Sequence, residues 1–135
     1  MIHIKLHINE CLQVNFTGIV EWSNGSKVWY KEGKFHRDNG PAIEWDNGFR
    51  EWWLEGKLHR EDGPAIEYYS EYEHEDHADY REWYLKGKNY SNSWLFRDEF
   101  ILSEEPHPKY PKILLFKILK KDKIEEYLLI PGMKE

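Results

Sequence analysis

The sequence has little cysteine and none of the short motifs that mark common catalytic centres. Its 135 residues include one cysteine, Cys11, which excludes an intrachain disulfide and a multi-thiolate metal site. We interpret Cys11 as a small, half-buried side chain rather than a nucleophile, and a reducing compartment is expected. No phosphate-binding glycine loop, Ser-His-Asp order or Cys-His pair is present.

Long apolar runs are also lacking. The first ten residues, MIHIKLHINE, alternate apolar and polar side chains and contain no continuous apolar region of the signal-peptide kind. No other run approaches the roughly 20 residues that a membrane-spanning helix needs. The sequence therefore predicts a soluble, cytoplasmic protein with no membrane partner.

Positive charge is scarce in most of the chain. Residues 1–108 carry 12 Lys and Arg against 21 Asp and Glu, a balance of −9, whereas residues 109–135 carry 7 against 4, a balance of +3. An acidic body repels phosphate backbones, so general nucleic-acid binding is not expected. A partner with a cationic surface would be attracted.

Aromatic residues are abundant, with 7 Trp, 9 Tyr and 6 Phe, and many of them recur at a fixed spacing. The chain superimposes on itself at a shift of about 23 residues, a period in the range of repeat architectures. The shift aligns Trp22 with Trp45, Asn24-Gly25 with Asn47-Gly48, Trp29 with Trp52, Gly33-Lys34 with Gly56-Lys57, His36-Arg37 with His59-Arg60, and residues 40–44 with residues 63–67. Matches in so many places indicate an internal repeat.

A third copy, REWYLKGK at residues 81–88, follows its counterpart REWWLEGK at residues 50–57 later than this period predicts. The eight additional residues fall in YYSEYEHEDHADY. Since side chains alternate between faces along a strand, an even insertion can lengthen both arms of a hairpin without inverting either. We predict a long, protruding hairpin here.

Each repeat shows the pattern of short strands separated by tight turns. AIEW, then Asp46-Asn47-Gly48, then FREWWL is a hairpin pattern in which Asn-Gly supplies positive φ angles. The EGK segment reverses the chain again, and DNGPA or EDGPA makes the next reversal, with Gly adopting backbone angles that other residues avoid. The prediction is a mainly β protein, an antiparallel meander of β-hairpins.

These motifs resemble those of MORN-repeat variants, which share a similar period and a WY..GK core. The sequence is more closely similar to the HRxDGPA tandem-repeat proteins of tailed bacteriophages and large DNA viruses. The resemblance covers about residues 16–90. NFTGIVEW in the first unit lacks the His-Arg-acid element, and GKNYSNSW replaces it in the third. The resemblance implies a β-hairpin ribbon and an interaction role, and it implies no activity.

The flanking segments complete a single domain of residues 1–135. Residues 1–16 are predicted to form an N-terminal hairpin, and residues 17–90 three MORN-like repeats. Residues 91–105 are predicted to form a short α-helix, with Ser91 or Ser93 as its N-cap. Residues 109–135 contain two apolar runs around KKDK and are predicted to form a C-terminal hairpin, with a helix as the alternative. Dimerisation is one way to cover this apolar element.

The clusters His36-Arg37-Asp38 and His59-Arg60-Glu61-Asp62 are the first candidate site. A catalytic centre needs a base, an acid and an electrostatic stabiliser at one point, whereas a motif written once per repeat is translated along the sheet. We therefore interpret the clusters as structural, with cross-strand Arg–Glu pairs and His rings packed against aromatic neighbours. No catalytic residue, metal or cofactor is predicted.

The second candidate is the aromatic pair of each unit. Adjacent strand residues point to opposite faces, so each pair places one ring on each side of the sheet. If one face stays open, Trp29, Trp52 and Trp83 form a binding stripe beside Arg37 and Arg60, with His36 and His59 nearby. Burial of both faces is the equally weighted alternative.

The third candidate is the acidic insertion. Glu73, Glu75 and Asp76 suggest a finger that enters a basic cleft on a partner. His74 and His77 lie in the same stretch, but a hairpin tip does not preorganise a coordination shell, so a metal-dependent hydrolase is the least favoured hypothesis.

The leading hypothesis from the sequence is a non-enzymatic, protein-binding accessory factor of a virus, specifically a phage. It would engage a host protein in the host cytoplasm, in the manner of a counter-defence inhibitor. The alternative is a protein that binds and sequesters a small nucleotide signal with its aromatic and Arg residues.

Overall fold

A computed structural model describes residues 2–6, 15–68, 80–91 and 100–133. In these ranges the regular structure consists of β-strands joined by turns, and no helix occurs. The strands are β1 (Ile2–Leu6), β2 (Gly18–Trp22), β3 (Lys27–Lys31), β4 (Lys34–Phe35), β5 (Ile43–Glu44), β6 (Arg50–Glu51), β7 (Trp53–Leu54), β8 (Lys57–Leu58), β9 (Ile66–Tyr68), β10 (Tyr80–Glu82), β11 (Tyr84–Leu85), β12 (Lys88–Asn89), β13 (Phe100–Pro106), β14 (Leu114–Lys120) and β15 (Lys123–Leu129). The prediction of a mainly β protein is confirmed.

The largest sheet has the order β1-β2-β3-β5-β6-β9-β10, with β4 added beside β3. All its pairings after the first are antiparallel. The two small hairpins β7-β8 and β11-β12 and the three-stranded sheet β13-β14-β15 are separate from this ladder. Short strands joined by tight turns therefore run through the described part of residues 17–90.

The N-terminal strand differs from the predicted hairpin in its partner. β1 pairs in parallel with β2, so that Ile2 lies opposite Gly18 and Leu6 opposite Trp22. Residues 7–14, which contain most of the predicted second arm, lie outside the described residues. Ile4 packs against Phe16 and Val20, which form a small core at this end of the sheet.

The prediction of a helix over residues 91–105 is wrong for its second half, because Phe100–Pro106 form strand β13. Residues 92–99 lie outside the described residues. β13 pairs antiparallel with β14, with a register shift between Ile101 and Ser103. Pairing gives this backbone interstrand hydrogen bonds and adds a third strand to the apolar C-terminal hairpin, so tertiary contacts override local helix propensity.

The C-terminal tract forms the predicted hairpin rather than a helix. β14 and β15 pair from Leu114 opposite Leu129 to Lys120 opposite Lys123. Lys121 and Asp122 make the turn with φ angles of 45° and 71°. Positive φ at both positions is the mark of the two-residue hairpin turn that matches strand twist.

The main core joins this C-terminal region to the third repeat. Its buried members are Trp83, Leu85, Tyr110, Ile113, Ile130 and Met133. A second buried pair, Phe116 and Ile118, lies within the C-terminal sheet. Among the described residues, no helix has the length and apolarity required to cross a membrane.

Candidate functional site

The large sheet has two chemically different faces, which follow from its register. Val28 lies opposite Val20 and Ile43, and Ile43 lies opposite Glu51, so these side chains share one face. Alternation places Trp22, Tyr30, Trp45, Phe49, Tyr68 and Tyr80 on that face, which we call the aromatic face. Trp29 and the strand residues Glu44 and Glu67 lie on the other side, the Trp-Arg face.

On the Trp-Arg face, each of two tryptophans carries an arginine on its ring. The guanidinium carbon of Arg37 lies 4.0 Å from the ring centroid of Trp29, and that of Arg60 lies 3.8 Å from that of Trp52. Each guanidinium also donates to a proline carbonyl, at 3.1 Å from Arg37 to Pro41 and 3.0 Å from Arg60 to Pro64. The two repeats thus share one cation–π arrangement.

The glycine of each GPA motif makes room for this arginine. A Cβ atom on Gly63 would lie 2.8 Å from the guanidinium carbon of Arg60, and one on Gly40 would lie 3.1 Å from that of Arg37. Neither glycine has a positive φ. The expectation that this glycine is needed for backbone angles that other residues avoid is therefore wrong. The glycine is needed because the arginine side chain lies too close for a Cβ atom.

The histidines link each repeat to the next one. His36 Nδ1 accepts the backbone N–H of Glu55 at 2.9 Å, and His59 Nδ1 accepts that of Lys86 at 3.0 Å. Both donors have positive φ and precede a glycine with positive φ, which completes a two-residue hairpin turn. In the first unit the hydroxyl of Thr17 accepts the N–H of Glu32 at 2.8 Å in the same way.

These contacts assign the ring nitrogens of the two histidines. Because Nδ1 accepts a backbone N–H, the proton of the neutral ring is on Nε2. Nε2 of His36 lies 3.0 Å from a carboxylate oxygen of Asp38, and Nε2 of His59 lies 3.6 Å from one of Glu61. Both rings are almost fully buried, with side chains 9% and 7% exposed. Each histidine thus lies between a backbone N–H of the next turn and a carboxylate of its own cluster.

Trp83 does not belong to an open stripe with Trp29 and Trp52. It is 8% exposed, and its indole donates to the carbonyl of Pro131 at 3.1 Å. Gly132 lies against the same ring, with the position of its absent Cβ 3.6 Å from a ring carbon. The C-terminal turn thus covers Trp83, whereas arginines cover the other two rings.

The aromatic face is the more open side. Trp45 is 44% exposed and Tyr80 is 43% exposed. Phe49 stacks on Tyr68 with ring centroids 4.8 Å apart, and Phe35 contacts Trp53 edge-on at 5.2 Å. The rings pack on each other and still present area to solvent.

Two carboxylates organise the rings of this face. Glu51 accepts the indole N–H of Trp45 and that of Trp53, the latter at 3.2 Å. Glu82 accepts the hydroxyls of Tyr80 and Tyr84 at 2.5 and 2.9 Å. The hydrogen bond to Glu82 raises the pKa of Tyr80 to about 12. Burial, followed by the bond to Glu82, raises the pKa of Tyr84.

An apolar groove of about 400 Å³ lies on this face, between the first two repeats. We call it the aromatic groove. Its principal walls are Trp22, Tyr30, Phe35, Trp45 and Trp53, and Glu51 lies among them. The predicted binding stripe contained Trp29 and Trp52, the other residues of the aromatic pairs whose members Tyr30 and Trp53 line this groove. The spacing of two within each strand, from Val28 to Tyr30 and from Ile43 to Trp45, would have identified this wall, since alternate strand positions share a face.

A second cleft, of about 680 Å³, lies on the Trp-Arg side between the two HRxxGP segments and residues 109–112. Arg37, Arg60, Lys109 and Lys112 line it, together with Asp38, Glu61 and Asp62. Lys112 lies 3.9 Å from Asp62. This cleft brings together most of the predicted Arg and His residues, but with carboxylates between the cations.

No protein-family model, curated protein or solved structure matches this chain significantly. The candidate site therefore depends on geometry. In the described ranges no group of three or more His, Cys, Asp or Glu residues is arranged to hold a metal ion. The acidic insertion, with Glu73, Glu75 and Asp76, lies outside the described residues, as do His74 and His77.

Proposed function

We propose that this chain is a non-enzymatic protein-binding module whose contact surface is the aromatic groove, with Trp45 as its anchor. The observation that supports this most directly is the 44% exposure of Trp45 beside an open apolar groove. Exposed tryptophan and tyrosine next to a preformed pocket are typical of protein-binding hot spots.

The use of the histidines and arginines argues against catalysis at the repeated clusters. A general base needs a free ring nitrogen, but Nδ1 of His36 and of His59 is occupied by a backbone N–H. The guanidiniums of Arg37 and Arg60 stack on tryptophans and donate to proline carbonyls. These groups are used to hold successive units together.

We further propose that the units are repeats of one MORN-like meander. Equivalent hydrogen bonds one period apart support this, such as Trp29 N–H to Ala42 and Trp52 N–H to Ala65, both at 2.7 Å. The resemblance to phage and viral repeat proteins adds the proposal of a viral accessory factor that binds a host protein in the cytoplasm. The acidic segment of residues 71–78 is proposed as a second contact with that partner.

Affinity capture followed by native mass spectrometry tests the proposed function. The wild-type chain and the Trp45→Ala variant are each used as bait in cells of the proposed host type, and the proteins that they capture are compared. Ile124→Ala is the matched control, since Ile124 is an exposed apolar residue (62%) on the C-terminal sheet. We expect a stoichiometric partner that Trp45→Ala loses and Ile124→Ala retains. Equal recovery by all three baits would contradict the aromatic groove as the contact surface.

The same samples test the acidic segment and the oligomeric state. Deleting residues 71–78 should weaken capture if the segment contacts the partner, and unchanged capture would remove it from the proposal. The intact mass before and after denaturation shows whether the chain forms the homodimer suggested by its apolar C-terminal hairpin.

The second candidate function, sequestration of a small nucleotide, is supported by the four cationic side chains around the 680 Å³ cleft. A nucleotide phosphate would compete there with the carboxylates of Asp38, Glu61 and Asp62. Thermal-shift screening against cyclic and adenine-based nucleotides tests this candidate, because ligand far above its Kd raises Tm. An unchanged Tm with every nucleotide would argue against it.

A further inference from the structure

We propose that the aromatic groove selects a cationic side chain, lysine or arginine, from a basic segment of the partner, and that Glu51 is its counter-charge. This inference rests on the proposed function and specifies its chemistry. It depends on the placement of one carboxylate among aromatic rings.

The groove is lined by aromatic rings from both of the first two repeats. Trp22 and Trp45 are equivalent positions of the first two repeats, and Tyr30 and Trp53 are likewise equivalent. All four line the groove. Such walls can surround an ammonium or guanidinium group, which is attracted by the negative faces of aromatic rings.

Glu51 is placed to complete this environment. Among the described residues that line the groove it alone is charged. Its carboxylate accepts one indole N–H on each oxygen, from Trp45 and Trp53. An ionised carboxylate has about four acceptor positions, so two positions can still accept N–H groups of a ligand. The two indole bonds fix its orientation toward the rings that line the groove.

Charge favours a cation over other ligands of the same shape. A purely apolar side chain would remove Glu51 from water without supplying a counter-charge, which is unfavourable. A nucleobase would stack on the rings, but its phosphate would meet Glu51 and the −9 balance of residues 1–108. A lysine or arginine side chain can contact the aromatic rings, pair with the Glu51 carboxylate and be attracted by the net negative charge.

The test is a nuclear magnetic resonance titration of the full chain with capped tripeptides. The probes are Gly-Lys-Gly, Gly-Arg-Gly and the neutral analogue Gly-norleucine-Gly, and the signals are the indole N–H resonances. We expect saturable shifts of Trp45 and Trp53 with the lysine and arginine peptides, and binding weaker by about tenfold or more with norleucine. Raising the salt concentration should weaken binding of the lysine peptide and leave binding of the norleucine peptide unchanged.

Glu51→Gln removes the charge and, because an amide nitrogen cannot accept an indole N–H, also one of the two indole bonds. It should weaken lysine-peptide binding by about tenfold. The matched control is Glu82→Gln, which neutralises the other ring-bound carboxylate outside the groove and should leave binding unchanged. Trp45→Ala, at an exposed position, removes one ring and provides a second independent variant if Glu51→Gln fails to fold.

Three results would overturn the inference: no binding of either cationic peptide, equal affinity for norleucine and lysine peptides, or full lysine binding by Trp45→Ala or by folded Glu51→Gln. The capture experiment separates the two proposals. If Trp45→Ala loses the partner while no cationic peptide binds, the protein-binding function stands and the cationic specificity fails. If Trp45→Ala retains the partner and no cationic peptide binds, both proposals fail.

Discussion

Arg60→Ala should destabilise the protein by about 2 kcal/mol more than Arg37→Ala, although the two arginines occupy equivalent positions. Their shared contacts are nearly identical. Each Arg→Ala substitution removes a cation–π contact worth about 1 kcal/mol and a charged hydrogen bond to a proline carbonyl worth about 1.5 kcal/mol. The stacking distances of 3.8 and 4.0 Å give no reason for a difference.

Most of the difference comes from the burial of one carboxylate. Arg60 also pairs with Asp62 at 2.9 Å, where the first repeat has Asn39, but Asp62 is 54% exposed and this pair adds little. Arg60 lies 3.3 Å from Glu67, whose side chain is 8% exposed, whereas Arg37 lies 3.6 Å from Glu44, which is 39% exposed. Breaking a buried ion pair costs about 3–5 kcal/mol, but an exposed pair contributes about 0–1 kcal/mol. Arg81 lies opposite Glu67 in the register. We therefore take the lower end of the first range.

Urea unfolding followed by tryptophan fluorescence gives both free energies of unfolding, which are compared at a common m-value. Adding Glu67→Gln to Arg60→Ala should recover about 2 kcal/mol, because a neutral amide needs no counter-charge. Costs for the two arginines that agree within about 0.5 kcal/mol would refute this reasoning, as would a double variant no more stable than Arg60→Ala.

Three further predictions concern single hydrogen bonds and turns. His59→Phe should cost about 1 kcal/mol in urea unfolding and remove hydrogen-exchange protection from the N–H of Lys86, since this partly buried donor loses its acceptor. Retained protection would contradict this. The pKa of Tyr80 in the folded protein, about 12, exceeds its ordinary value of 10.0, so the stabilisation from the Tyr80–Glu82 hydrogen bond is complete below pH 10 and is lost as the pH rises toward 12. An ultraviolet titration should show that Glu82→Gln lowers this pKa. An unchanged titration would count against the Tyr80–Glu82 hydrogen bond. Replacing Lys121 and Asp122 by Asn and Gly should stabilise the C-terminal hairpin by about 1 kcal/mol, because both positions have positive φ; no gain in urea unfolding would show that the turn carries no strain.

The short strands and turns in the described part of residues 17–90 were predictable because their sequence determinants are local and occur more than once. Positions such as Gly33 and Gly56 repeat at a fixed spacing, and the hairpin turns follow from them. The C-terminal hairpin was predictable for a similar reason, since two apolar runs flank a polar turn. The strand Phe100–Pro106 was not predictable, because its pairing with β14 joins segments whose local propensity favours a helix.

The candidate site was only partly predictable. Alternation shows that each aromatic pair divides between two faces, but not which face stays open. That choice depends on long-range contacts, namely the stacking of Arg37 and Arg60 and the burial of Trp83 under Pro131 and Gly132. The sharing of Glu51 by two indoles depends on the register of the β5-β6 hairpin, in which Ile43 lies opposite Glu51, and on the side-chain rotamers, which the sequence spacing alone does not determine.

The link between successive turns has a consequence for how such a chain can change in evolution. Gly56 donates its N–H to Phe35 at 2.9 Å, and Gly87 donates to Leu58 at 2.9 Å, so each unit is held by the unit before it. A duplicated segment of one period inserted between them would find the same donors and acceptors on both sides. The number of units is therefore a variable that gene duplication can adjust in whole steps, and each added unit would lengthen the sheet without redesign of its ends.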